Sequence, residues 1–75
     1  MVALPVVSSA QAIRAFERAG SCVARTKGSH ATLTQSGSRV ILTVHQKKEV
    51  PRGTLRQLIG LAGMTGEEFV LNLRE

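Results

Sequence analysis

Two histidines and a cluster of basic residues hold most of the chemistry this chain can offer. His30 follows Lys27-Gly28-Ser29 directly, at the start of a strand-like segment, and His45 comes just after the next such segment. An imidazole accepts or donates a proton near neutral pH. A histidine at a strand edge can equally do no more than make a turn hydrogen bond. Missing residue types narrow the choice. There is no aspartate and only one cysteine, so no obvious ligand set exists for zinc, which takes roughly three or four protein ligands. Magnesium sites usually need carboxylates, and two-metal nuclease chemistry is therefore disfavoured. Metal-free cleavage of a phosphodiester stays open for RNA, because RNA carries its own nucleophile in the 2′-OH. That reaction needs a base for the 2′ proton and cations to steady the charge on phosphorus. Lys27, Lys47, Lys48 and Arg52 are candidates for the second role. A serine nucleophile is disfavoured without an aspartate to orient a histidine base, although a glutamate can substitute. Ser29 then either hydrogen-bonds a phosphate or closes the turn, and Gly28 permits a tight turn and close backbone approach.

Charge placement points the same way. The net charge is +5, and Arg25, Lys27, Arg39, Lys47, Lys48, Arg52 and Arg56 fill the middle of the chain. Glu49 is the only acid between Arg18 and Glu67. So one-sided a segment favours a polyanion, usually nucleic acid; the plain alternative is a basic surface without a specific ligand. Lys47, Lys48, Arg52 and Arg56 surround the start of a predicted helix, and helix N-termini favour anions. Phosphate tracking fits them, as does a solvated basic loop. His45 fits contact with RNA or a partner protein, or a solvated strand end. With no Trp or Tyr and two Phe, both assigned to packing, platforms for stacking single-stranded bases are missing. Recognition should then rest on backbone charge and shape, with strong salt dependence.

These residues must be positioned by a small body. The 75 residues predict one domain, 1–75, with a thin core that leans on a partner or on oligomerisation. The lone Cys22, expected as a partly buried strand residue, points to a reducing compartment, and the cytoplasm is the expected location. "MVALPVV" lacks a basic flank and is broken by Pro5, so it reads as neither signal peptide nor membrane span.

Ser8 with Gln11 three residues on has capping-box spacing and predicts a helix over about 9–19. Ile13 and Phe16 share its apolar face, Ala10, Ala12 and Ala19 serve as small packing positions, and Gly20 ends it. Segments 22–27, 30–35 and 38–44 read as strands, with Ser36-Gly37 as a two-residue hairpin loop. That loop pairs Gln35 with Ser38, Leu33 with Val40 and Ala31 with Leu42 on the packing face. On the other face Thr34 meets Arg39, Thr32 meets Ile41 and His30 meets Thr43, which makes His45 the diagonal neighbour of His30 on an open face. Pro51 suits the first turn of a second helix, in which Leu55, Leu58, Ile59 and Ala62 follow the helical period and Gly63 is the stop. Thr65 and Glu68 offer another capping box, before Phe69, Val70, Leu71 and Leu73 pack back as a short helix or tail. The order predicts an α+β fold, α-β-β-β-α, with a three-stranded antiparallel sheet and helices packed on one face. That is the layout of double-stranded-RNA-binding domains.

Taken together, the motifs resemble one family. Gly20, Lys27-Gly28-Ser29-His30, His45, Gly53-Thr54-Leu55-Arg56, Ala62-Gly63 and Glu67-Glu68-Phe69 occur in the order and spacing of HicA toxins of toxin–antitoxin systems, over nearly the whole chain. The resemblance implies a double-stranded-RNA-binding-like fold, ribonuclease activity on messenger RNA, no metal or small-molecule cofactor, and silencing by a HicB-type antitoxin. The catalytic histidine of the family's Gly-Ser-His maps onto His30. Two positions depart from the pattern: Thr43 stands where a proline is frequent, and Ser21-Cys22 where an aromatic residue often follows the glycine.

The leading expectation is therefore an RNA-cleaving toxin. A non-catalytic RNA-binding module of the same fold is the alternative and differs only at His30. A DNA-binding helix module ranks lower, because the strands are well patterned and the exposed face of the second helix is narrow.

Overall fold

The computed structural model describes residues 4–35, 37 and 39–73. Helix α1 (Ser9–Arg18) opens with the full capping box, the Ser8 hydroxyl accepting from the Gln11 N–H and the Gln11 side chain accepting from the Ser8 N–H. Ser9, Ala12, Ala15 and Phe16 form its buried stripe. Ala10 lies about 100° round the helix from Ser9 and is exposed, against its expected packing role. Three strands follow: β1 (Ser21–Lys27), β2 (His30–Gln35) and β3 (Ile41–His45), paired antiparallel in the order β1-β2-β3. Helix α2 (Arg52–Leu61) buries Leu55, Leu58 and Ile59, with Ala62 buried just beyond it. Pro51 is its N-cap rather than a first-turn residue, and its carbonyl accepts from the Leu55 N–H at 2.9 Å. Helix α3 (Gly66–Leu73) begins with the second capping box, Thr65 and Glu68 bonding reciprocally. Phe69 is fully buried against Phe16, with ring centroids 5.3 Å apart. Leu71 falls on the outer side of this helix at 68% exposure, so it does not pack back as expected.

The helices lie on one side of the sheet, α1 against β1 and β3, α2 against β3, with α3 closing over α1 and α2. Ala31, Leu33, Leu42 and Val44 point into this layer and are buried. The order and one-sided packing are those of the expected α+β, double-stranded-RNA-binding-like fold, with α3 added. Leu4 and Val7 contribute to the core from the segment before α1, where the Val7 carbonyl accepts from the Val50 N–H at 2.8 Å.

The β2–β3 register corrects the expected one by two residues. Leu33 pairs with Leu42 rather than Val40, Ala31 with Val44 rather than Leu42, Thr34 with Ile41 rather than Arg39, Thr32 with Thr43 rather than Ile41, and His30 with His45 rather than Thr43. Strand β3 accordingly starts at Ile41 rather than 38, and the connection is longer than two residues. A two-residue slide leaves every side chain on the same face, so the hydrophobic pattern cannot choose between the registers; the observed one opposes the two leucines. The expected Gln35–Ser38 pair and the Ser36 half of the loop lie outside the described residues.

The opposite face of the sheet carries three cross-strand rows: Lys27–His30–His45, Arg25–Thr32–Thr43 and Cys22–Thr34–Ile41. No helix covers it among the described residues, and Cys22 is therefore exposed instead of partly buried.

Candidate active site

The Lys27–His30–His45 row lies at one end of the open face, and two local features hold it there. The first is the turn from β1 to β2. Lys27 pairs with His30, leaving Gly28 and Ser29 as a two-residue loop. Gly28 has φ of +59° and Ser29 does not share the positive sign, the φ pattern of a type II′ hairpin turn. A Cβ on Gly28 would meet nothing within 4 Å. The need for glycine is therefore the dihedral alone, and the turn is open to approach.

The second feature ties the far end of β3 to that turn and to α1. The Gln46 N–H donates to the Ser29 carbonyl at 2.6 Å. The next residue, Lys47, is clamped by Ser9: its N–H donates to the Ser9 hydroxyl at 3.0 Å, and that hydroxyl donates to the Lys47 carbonyl at 3.1 Å. The Ser9 N–H donates to the same carbonyl at 3.0 Å. Ser9 is itself buried in the helix layer, so the first turn of α1 fixes the strand end that carries His45. Sequence reading missed this serine, because its partner is 38 residues away and no local pattern signals it.

The direct His30–His45 pairing brings the two rings into edge-to-face contact, with centroids 4.2 Å apart and planes at 76°. That separation is just below the roughly 4.5–7 Å usual for ring pairs, and no phosphoryl group fits between the rings. A substrate must reach the pair from the open side. Both histidines are exposed, and Lys27 puts an ammonium group on the same row. An imidazole that can hold or release a proton beside a fixed positive charge suits general acid–base work on an anion. Among the described residues no group of three or more His, Cys, Asp or Glu could hold a metal.

The other expected binding residues are arranged less tightly. Lys47 and His45 line a cleft of about 220 Å³ with Val44, Val50, Pro51, Thr54 and Leu58, where β3 meets the start of α2. Gly28, Ser29 and His30 edge a groove of about 210 Å³ against α1. Both are smaller than the roughly 300–1,000 Å³ of typical small-molecule sites and suit contacts along a polymer. Lys48 is exposed in the loop after β3, while Arg52 and Arg56 are exposed one turn apart at the start of α2. A larger groove, about 650 Å³, opens between the N-terminal segment, α1 and the end of α3. It contains Arg14 and Arg18 but no acid–base pair, and Arg18 already donates to the Asn72 carbonyl.

Arg25 was not singled out as a site residue from the sequence, and a β-bulge brings it in. Pairing steps from Val23–Leu33 to Arg25–Thr32 and leaves Ala24 without a partner. Strict alternation from Cys22 would turn Arg25 and Lys27 toward the helices. The extra residue at Ala24 returns both to the face that carries His30, a re-aiming common beside functional sites.

Comparison with known proteins adds one match. A family model described as the HicA toxin of bacterial toxin–antitoxin systems matches residues 9–64, a span that includes α1, the sheet, α2 and every residue considered above as a candidate site. No curated protein matches the chain.

Proposed function

The chain belongs to the HicA toxin family of bacterial toxin–antitoxin systems, and from that premise we propose that it is a metal-independent endoribonuclease acting on messenger RNA through His30. The observation that carries the reading is the row Lys27–His30–His45, exposed at the end of the sheet beside the Gly28-Ser29 turn. In the proposed reaction the 2′-oxygen attacks the adjacent phosphorus and the 5′-oxygen leaves. His30 takes the 2′ proton or supplies one to the leaving oxygen, and water handles the other proton. The Lys27 ammonium and the Ser29 hydroxyl and N–H steady the phosphoryl oxygens, and the open turn at Gly28 lets the backbone come close. His45 touches His30 and meets the same stretch of RNA backbone. Lys47, Lys48, Arg52 and Arg56 hold phosphates further along. A HicB-type antitoxin is the proposed silencing partner, and the cytoplasm, where messenger RNA is translated, the proposed site of action.

The test is cleavage of a long messenger RNA in EDTA by wild type and by His30→Ala. A lost general acid or base lowers the rate by about 10²–10⁴-fold, and RNA binding should be largely retained. Equal cutting by both proteins would move the chemistry away from His30. Binding without cutting by either would replace the nuclease with an RNA-binding module.

A further inference from the structure

We infer that the open face of the sheet is the track for the RNA strand flanking the scissile phosphate, with Arg25, Thr32 and Thr43 holding the next phosphate. The inference rests on the ribonuclease reading and adds a site to it. The second row lies two residues along each strand from the His30 row, a separation of roughly 6.5–7 Å. Consecutive phosphates of an extended strand are spaced on the same order. Arg25 supplies a guanidinium suited to phosphate, and the paired Thr32 and Thr43 supply two hydroxyl donors. None of the side chains on the three rows is acidic, so the face complements an anion throughout its polar part. The third row ends that part, since Cys22 and Ile41 offer no charge and Ile41 is 59% exposed. Apart from the two imidazoles the rows contain no ring, so the track grips backbone rather than stacking bases.

Three features make this face a better fit for RNA than the α2 surface alone. It runs directly into the His30 row. The Ala24 bulge turns Arg25 and Lys27 onto it together. The helices pack on the opposite side, so nothing among the described residues must move to admit a strand.

Steady-state cleavage of an unstructured messenger RNA fragment in EDTA tests the track, with wild type, Arg25→Glu, Thr43→Glu and Arg14→Glu compared at several salt concentrations. Arg25→Glu should raise KM by about tenfold or more with kcat nearly unchanged, and lower the salt slope of binding by about one. Thr43→Glu should raise KM in the same direction. Arg14→Glu, on the exposed side of α1, should do neither. Circular dichroism checks folding, and Arg25→Ala replaces the reversal if Arg25→Glu unfolds. Unchanged KM in both sheet variants, with a raised KM in Arg56→Glu, would route the RNA over α2 and overturn the track. Unchanged KM with lost inhibition by an antitoxin would assign the face to that protein instead, which also overturns it. A wild type that cuts no RNA defeats the ribonuclease reading itself; a wild type that cuts, beside an indifferent Arg25→Glu, defeats only the track.

Discussion

The two faces of the sheet are built from the same strands, and alternate residues go to opposite ends of the energy scale. Along β2, Ala31 and Leu33 are buried under the helices, while His30 is exposed and Thr32 and Thr34 are only partly covered on the other side. Along β3, Leu42 and Val44 are buried and Ile41, Thr43 and His45 exposed. Burial stabilises in proportion to apolar area removed from water, so the covered face holds the fold. The open face contributes little packing and is free to carry charge and proton-transfer groups. Among the described residues the chain forms a single sheet, and it does not set the His30 row apart on a sheet of its own. It separates stability from chemistry by parity instead.

The sharpest challenge to that division compares neighbours. Leu33 is 0% exposed, and Leu33→Ala should cost about 2–5 kcal/mol. Domains are stable by only about 5–15 kcal/mol, small ones at the low end, so this variant should be largely unfolded or close to it. Thr32→Ala, one residue away on the other face, should stay within about 1 kcal/mol. Urea denaturation of both variants gives the two numbers. Comparable losses would mean that the faces share the load and that parity does not divide it.

The same parity explains what the sequence could reveal and where it stopped. Helix starts were legible because Ser8 with Gln11 and Thr65 with Glu68 are local signals, and both boxes form. The faces of β2 and β3 were legible because alternation is local too. Register was not, since sliding β3 by two residues changes no face, and only the assembled sheet sets His45 opposite His30. The exposed position of Cys22 follows from the uncovered face, which a strand-like segment read alone does not disclose. The bulge at Ala24 leaves no mark in composition, and through it Arg25 joined the open face unannounced. Val7 and Ser9 act through segments near residues 47–50, pairings that no short window contains.

Ser9 is where the two faces are mechanically joined, so it offers a smaller and more informative break. Its hydroxyl makes both side-chain bonds to the Lys47 backbone from within the helix layer. Ser9→Ala removes them and strips the part-buried Lys47 N–H of that acceptor, at a cost of about 1–3 kcal/mol. Unlike Leu33→Ala, it should leave a folded protein whose β3 end is less firmly held. The expected outcome is a lower Tm together with a lower kcat for RNA cleavage, because the strand end that slackens carries His45. A loss of Tm with full kcat would show that the imidazole row does not depend on this clamp.

The smallest effect concerns a place where the covered face buries a polar group. Ser21 starts β1 on the helix side, is 3% exposed, and its hydroxyl has no hydrogen-bond partner among the described residues. A buried hydroxyl without a partner loses its bonds to water and gains nothing in return. Ser21→Ala should therefore stabilise the protein by about 0.5–1 kcal/mol, which for a domain of this size raises Tm by roughly 2–8 °C. Ser21 pairs with Gln35, at the end of the β1–β2 ladder opposite the His30 pair, so cleavage kinetics should not change. A thermal melt and one kinetic assay suffice. A lower Tm would mean that the hydroxyl is satisfied in solution and that the covered face tolerates a polar group at its rim. A higher Tm with altered kcat would mean that the two ends of the sheet are coupled more tightly than parity allows.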